Sequence, residues 1–564
     1  MKKSFRFTLL TLLMLLTGFV GGRPVLAYET IAGSEAYEIY LSDPNLIVVD
    51  VREDSDFCAG HVACSLNYPY NSGVFASDHE NLPTGVPILV YCASGFRSDR
   101  AAALLDAAGY EEVYSLGGGI SGWPSELYSC GDVDEECDSA PAYRVYYPHV
   151  ASGSGWETEI GLINTDALLA LNGVLQGCDA AGNVIEESPV SLPAAGRLEF
   201  TVSSRFAQAG EIKYLIFASG SSEVYGYLKF YDLPSAVSRV AIPAPNRVNE
   251  NSIALSHIAA SDGWWTGLAL VNTGTEDRTL SFRFNNGESK NLPLAAGAYQ
   301  SLVLEDFLVG LDQAAINSAL IENAAGVVGL EIFGNGMQLG GVLLRDDSRT
   351  RLYYPHIAND ENWWTGIAAY NPGAGAGAIT LSAYDAAGNL LSPAAPATLI
   401  EAAVAATPIE IAAGGRFISS AADLDLPAAT AWLALESTVP LSGFELFGSS
   451  DGRQLAGYTS VGIESSTGVF AKLEDNGWTG IALVNIGNET TQVNLEAYSD
   501  AGELIAAVSR PLAPHARLAD APENIFAGHL EGADYLIYQA VGGTLVAFQL
   551  NGSGAMLDAL PAHF

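Results

Sequence analysis

A fourfold internal repetition constrains this 564-residue chain more than any other feature. Its copies begin at Tyr147-Pro148-His149, Leu255-Ser256-His257, Tyr354-Pro355-His356 and Gly468-Val469-Phe470. Each reaches an Asn fifteen residues after the His or Phe, at Asn164, Asn272, Asn371 and Asn485. Between them run Trp264-Trp265-Thr266-Gly267, Trp363-Trp364-Thr365-Gly366 and Gly477-Trp478-Thr479-Gly480, with Trp156-Glu157-Thr158-Glu159 as the divergent first copy. The Asn residues lie 108, 99 and 114 positions apart, a domain-sized period. Helical periodicity nearly disappears here. Turn signals such as Asp179-Ala180-Ala181-Gly182-Asn183, Asp385-Ala386-Ala387-Gly388-Asn389 and Ser499-Asp500-Ala501-Gly502 separate alternating runs, which is hairpin chemistry. Each copy is expected to close on a run such as 224–231, 327–333 or 441–447, giving about seven strands per ~100 residues, the size of an Ig-like sandwich. Propeller blades take about 40 to 50 residues, so a four-bladed propeller fits poorly. The expectation is four all-β Ig-like sandwich repeats at 143–245, 251–346, 351–460 and 466–564.

The repeated columns read as scaffold. His149, His257 and His356 fall in separate copies and do not form one metal site, and Phe470 in the fourth copy suits packing. The Asn column, followed by Thr165-Asp166, Thr273-Gly274, Pro372-Gly373 and Ile486-Gly487, fits strand-ending turns. Adjacent Trp residues on a strand point to opposite faces, so one of each pair is expected in a core. The other lies beneath a loop or is free to stack on sugars or a partner.

Residues 36–123 follow another rule. Leu46-Ile47-Val48-Val49-Asp50-Val51 and Pro87-Ile88-Leu89-Val90-Tyr91-Cys92 are short continuous apolar runs of the kind buried in parallel sheets. Residues 100–108 carry Ala101, Ala102, Leu104, Leu105 and Ala108 at helical spacing, and Glu112-Val113-Tyr114-Ser115-Leu116 then precedes Gly117-Gly118-Gly119. This order is α/β. The chemistry concentrates in Cys92-Ala93-Ser94-Gly95-Phe96-Arg97-Ser98. A cysteine ending a buried strand, then a Gly-containing loop and a helix, places sulfur in a cradle of backbone N–H groups that stabilises a thiolate or a persulfide anion. Arg97 adds a forked charge able to orient a sulfur-bearing anion, with Ser94, Gly95, Phe96 and Ser98 completing the binding loop.

These residues, with Asp50-Val51-Arg52-Glu53, Phe57-Cys58-Ala59-Gly60-His61-Val62 and Trp123 after the triple glycine, make the segment from about Glu29 to Pro124 resemble a single-domain rhodanese. The resemblance implies a rhodanese-type sulfurtransferase in which Cys92 carries sulfane sulfur from a thiosulfate-like or persulfide donor to a thiol or other thiophilic acceptor, without cofactor or metal. The six-member Cys-x4-Arg loop matches the sulfurtransferases and not the phosphatase-like members. Asp50, Arg52 and His61 are assigned to the framework of the active site, and His79 to a solvated loop. Where the family usually has Pro-Gly-Ala after Gly-His-Ile, Ala63-Cys64-Ser65 predicts a different turn. The domain is placed at 28–127, with an acidic, Cys-containing linker at 128–142.

Residues 1–27 read as a signal peptide: Lys2, Lys3 and Arg6, an apolar stretch over 7–20, then Val25-Leu26-Ala27. Export to the periplasm or beyond is expected, with no later membrane span and no Cys at the cleavage point to accept lipid. The formal net charge of −39 repels phosphate backbones and argues against nucleic acid as a partner. Aromatic residues at 10% exclude a disordered chain. In an oxidising compartment Cys58 with Cys64 and Cys130 with Cys137 are disulfide candidates close enough to staple locally, while Cys178 suits a buried apolar position. Two function classes follow. One is an exported sulfurtransferase whose β repeats position it, through an extracellular polymer or a protein. The other is a secreted or surface binding protein whose rhodanese-like domain is inactive or a redox or sulfur sensor, marked by a Cys92–Cys64 disulfide.

Overall fold

The computed structural model describes residues 28–562 apart from 43–45, 80–81, 83–85, 111, 126, 130–142, 234–237, 260–262, 359, 395–407 and 460. The expected leader at 1–27 and the expected Cys130–Cys137 pairing lie outside the described residues. The chain divides into two compact units, Met1–Ala142 and Tyr143–Phe564. No helix among the described residues is long and apolar enough to cross a membrane.

In the first unit, strands β1 (Glu29–Ile31), β2 (Ile47–Asp50), β3 (Leu66–Asn67), β4 (Ile88–Tyr91) and β5 (Val113–Leu116) form one sheet in the order β1-β5-β4-β2-β3. Every pairing is parallel. Helices α1 (Gly33–Ser42), α2 (Asp54–Ala59), α3 (Val74–Asp78) and α4 (Phe96–Ala107) are interleaved with these strands. All four β4 residues are buried because apolar clusters lie on both faces, Val49, Val90 and Leu105 in one and Val48, Leu89 and Trp123 in the other. That is why the strand reads as an unbroken apolar run.

The second unit is all-β and antiparallel. Among the described residues its four segments each carry eight strands, arranged as two four-stranded sheets in the first, second and fourth. In the third, the 18-residue strand Trp432–Ser449 runs through both sheets. The expected closing runs are therefore not last: a further strand follows each, at Arg239–Ala244, Leu339–Leu344, Leu455–Tyr458 and Met556–Pro561. These four strands pack in cyclic order, first on second, second on third, third on fourth and fourth on first. The copies thus close a ring.

The Asp/Ser-initiated turns enter three of the four seams of that ring. Gly182, Gly388 and Gly502 adopt φ of 88°, 89° and 78° and touch the next copy so closely that a Cβ there would fall 2.1–2.3 Å from a backbone oxygen. Beside them, Ala180, Ala386 and Asp500 carbonyls accept the backbone N–H of Tyr299, Arg517 and Arg197, each at 3.0 Å and each the first residue of a strand in the neighbouring copy.

The histidines lie at three different seams. His149 Nδ1 shares a 2.6 Å hydrogen bond with Tyr299, while Arg416 and Arg517 guanidiniums donate to His257 and His356 Nδ1 at 3.1 Å. The sequence alignment needs one correction: Phe470 pairs with Leu536 as Tyr147 pairs with Leu215 and Tyr354 with Leu433, so it belongs to the buried column two residues earlier. Lys472 takes the histidine position, and a two-residue shorter loop hid this. Thr479 confirms the register by accepting the Glu474 N–H, as Thr158, Thr266 and Thr365 accept those of Ala151, Ala259 and Ala358.

The closing seam adds an ionic network to a buried cluster of Tyr225, Tyr227, Tyr498 and Tyr535. Lys472 reaches Glu159 at 2.8 Å and Glu199 at 2.9 Å, Arg197 reaches Asp500 at 2.6 Å, and Lys229 and Arg239 enclose Glu474 and Asp558. The divergent Trp156-Glu157-Thr158-Glu159 thereby acquires a reason, since Glu159 serves this seam alone.

Buried polar groups make the ring acid-sensitive. Burial, helped by Lys213, Arg416 and Arg517 respectively, lowers His149 and His257 from 6.5 to about 4 and His356 to about 3. Burial pushes Glu199 up, but Arg197 and Lys472 outweigh it and hold the carboxyl at about 2 against an ordinary 4.5. A buried neutral imidazole destabilises the fold as pH falls from 6.5 through its lowered value; a depressed carboxyl contributes above 4.5 and loses that contribution as pH falls toward 2. The midpoint of thermal unfolding should therefore fall in two stages on acidification. By scanning calorimetry, Glu199→Gln should flatten the stage below pH 4.5 and leave the upper one; an unchanged lower stage would contradict the seam's assigned role.

Candidate active site

The carboxyl ends of β2, β4 and β5 meet on one edge of the parallel sheet. Cys92 follows β4 directly and is 1% exposed. The next residues turn sharply: Gly95, at φ 95°, precedes α4, and its N–H donates to Cys92 Sγ at 3.2 Å. The backbone N–H groups of Ser94, Ser98 and Arg97 also favour the thiolate, and the Ser98 hydroxyl donates to the Gly95 carbonyl at 3.0 Å. Burial alone pushes the Cys92 thiol up, but these hydrogen bonds outweigh it and leave the thiol below its ordinary value. An anion is thus stabilised at the sulfur. The helix N-terminus contributes in the same direction.

The triple glycine after β5 is the second wall. Gly119 sits at φ 69° against the cysteine loop, where a Cβ would fall 2.4 Å from Ala93 C and Ser94 N. Ile120 N–H donates to the Cys92 carbonyl at 2.8 Å, tying the two loops together. Gly119 is thus needed for close approach, a role that the Gly117-Gly118-Gly119 run announced without specifying.

Asp50 and Arg52 are buried and bidentate, with Arg52 Nη2 to Asp50 Oδ2 at 2.6 Å and Nε to both carboxylate oxygens. Arg52 Nη2 also donates to the Gly60 carbonyl at 2.7 Å, and Tyr91 OH accepts from Val62 N–H at 3.0 Å. These contacts hold the loop carrying His61, whose ring stacks on Phe57 at 3.9 Å with Nδ1 3.1 Å from the Phe57 carbonyl. None of the three is hydrogen-bonded to the sulfur. Cys64 has φ 63° in the turn where Ala63-Cys64-Ser65 replaces the usual residues. Cys58 and Cys64 are each disulfide-bonded, whereas Cys92 and Cys178 are free thiols, so the Cys92–Cys64 bridge of the sensor reading is not formed. His79 is half-buried, its Nδ1 near the Phe75 carbonyl and its own carbonyl accepting from Tyr110, a structural environment and not the solvated loop expected.

Arg97 is half-buried, and its guanidinium makes no ion pair or side-chain hydrogen bond among the described residues, leaving it available to an anionic ligand. Phe96 is 64% exposed at the start of α4, with the Arg100 guanidinium 4.3 Å from its ring centroid. Behind the cysteine lies a group that motif reading missed: Ser115 Oγ lies 3.1 Å from Ser98 Oγ and donates to Asp99 Oδ1 at 2.7 Å. Its sequence signal is only a serine among apolar strand residues, too weak to find alone.

Residues 34–126 match the rhodanese-like domain family. The thiosulfate:glutathione sulfurtransferase of Saccharomyces cerevisiae is 34% identical over 94 residues, 15% of this chain and 68% of the relative. The thiosulfate sulfurtransferase GlpE of Ectopseudomonas mendocina is 35% identical over 103 residues, 18% of this chain and 91% of the relative. GlpE of Tolumonas auensis is 34% identical over 87 residues, 14% of this chain and 74% of that protein. With a cysteine ending a parallel strand and its sulfur ringed by loop amides, the chain belongs, through its first unit, to the rhodanese-like family.

Proposed function

We propose that the protein is an exported sulfurtransferase that carries sulfane sulfur as a persulfide on Cys92, with the β ring placing it on an extracellular partner. The observation that carries the reading is the ring of N–H donors about a free, acid-shifted thiol, supported by relatives named as thiosulfate sulfurtransferases. In the first half-reaction the Cys92 thiolate attacks the outer sulfur of thiosulfate. A new S–S bond forms, the bond to the sulfonate sulfur breaks, and sulfite leaves with the electron pair. In the second, an acceptor thiolate attacks the outer persulfide sulfur and releases the Cys92 thiolate. The loop amides stabilise the anion in both the resting and loaded states, and Arg97 orients the dianionic donor.

Export rests on the basic, apolar and small-residue sequence of 1–27, and N-terminal sequencing of secreted material should begin at Tyr28. A retained leader would contradict cleavage there. Intact-mass spectrometry after thiosulfate treatment should show one added sulfur atom on the wild type and none on Cys92→Ser; identical behaviour of the two would remove the enzyme reading. Arg97→Ala should lower kcat/KM for thiosulfate by roughly 10- to 100-fold, and for a neutral trisulfide donor much less, because only the anion uses the guanidinium charge. Equal losses with both donors would take Arg97 out of the donor site.

A further inference from the structure

The tryptophan columns occupy the seams of the ring, not the two faces of one sandwich. Each seam is offered the first Trp of one copy and the second Trp of the next: Trp156 with Trp265, Trp264 with Trp364, and Trp363 with Trp478. At the closing seam Gly477 and Glu157 stand at these positions. The second Trp of each pair lies flat on its own sheet over glycines. A Cβ on Gly552 would meet the Trp478 ring at 2.3 Å, and one on Gly448 would meet Trp364 at 2.2 Å. In Trp478 one side of the indole is therefore spent on the sheet while the residue remains exposed.

The seams then diverge. Between the second and third copies Trp264 and Trp364 are packed into a cluster with Phe333 and Phe444. Between the third and fourth the groove stays open, with a volume of about 760 Å³, and Trp478 remains 44% exposed with Trp363 also lining the cleft. Three oxygen-bearing side chains line it. Asp360 Oδ1 accepts the N–H groups of Asn362 and Trp363, and Asp520 Oδ1 accepts from Ala521 N–H and Asn524 Nδ2, which among the described residues leaves the second carboxylate oxygen of each unengaged. Thr430 Oγ1 is buried without a hydrogen-bond partner among the described residues. Among the described residues no Lys or Arg lines the groove. A related groove of about 650 Å³ with His149, Trp265 and Asp306 lies between the first and second copies.

We propose that the groove between the third and fourth copies binds a neutral oligosaccharide, one ring stacked on Trp478 and its hydroxyls donating to Asp360 and Asp520. The inference deepens the placement role given to the β ring and does not depend on the sulfur chemistry. Three observations select the ligand. A flat, exposed indole matches the C–H face of a pyranose. Carboxylate and hydroxyl oxygens on the lining match a ligand rich in O–H donors. A cation-free groove on a chain of net charge −39 rejects sulfated and uronic polymers. The size suits several rings and is larger than one ammonium group needs.

The test is a glycan array probed with the full-length protein, followed by titration of the retained glycans against tryptophan fluorescence. Retention on at least one neutral glycan is expected, insensitive to 0.5 M salt within about twofold because no charge pair forms. Trp478→Ala should weaken it about tenfold or more. Trp363→Ala and Asp520→Asn, each checked for the wild-type thermal midpoint, should weaken it in the same direction. These readouts do not involve Cys92, so they stand whether or not sulfur is transferred. Retention of no neutral glycan, retention unaffected by all three substitutions, or binding only of choline-type cations in a salt-sensitive way would each overturn the proposal.

Discussion

Each backbone N–H and C=O removed from water needs a partner, and the two units meet that obligation in opposite ways. In the β ring the Asn column does it. Asn164, Asn272, Asn371 and Asn485 are all buried, and the Nδ2 of each donates to carbonyls of two separate loops while Oδ1 accepts the N–H two residues on. One side chain thus closes the ends of two strands where the sheet ladder stops. In the first unit the turn after β4 aims its amides at Cys92, so that an unmet hydrogen-bonding demand becomes an anion site. A neutral thiol satisfies it poorly and a thiolate well.

Ring closure adds a second constraint. The three seams between consecutive copies share a histidine that meets the next copy, whereas a glycine turn enters the neighbouring copy at the first–second, third–fourth and closing seams; a chain has two ends, and that closing seam joins copies far apart in sequence. Its ionic network of Lys472, Arg197, Lys229 and Arg239 with five carboxylates lies beside a buried cluster of Tyr225, Tyr227, Tyr498 and Tyr535. Buried ion pairs of this kind add little net stability compared with apolar packing, but mismatching them is costly. That asymmetry suits a seam that must reject pairing with the wrong copy.

Much of the plan was legible. The continuous apolar runs at 46–51 and 87–92 specify strands buried on both faces, because only such a position tolerates no polar residue, and the order of strand, glycine loop and helix after Cys92 specifies the amide cradle. The fourfold spacing of Asn, His and Trp marks the repeating unit, since each position meets the same local environment. Two readings meet the same limit. Phe470 was placed in the histidine column because a shortened loop leaves no trace in a pattern counted by residue number. Adjacent Trp residues do part to different sides, but neither of a pair is fully buried in a core, because alternation describes one strand and is silent about a neighbouring copy.

The sequence by itself determined what is local: the period-two alternation, the turns with glycine at positive φ, the apolar strands of the parallel sheet and the cysteine loop at a strand end. Each follows from interactions between residues close together along the chain. Tertiary structure decided what depends on copies meeting. It turned hairpin turns into docking elements, placed Lys472 opposite Glu159 and Glu199 across more than 270 residues, filled one Trp seam and left another open, and brought Gly119 against Ala93 and Ser94. Such contacts depend on the distance between surfaces in the folded chain, which no spacing of residues along it encodes.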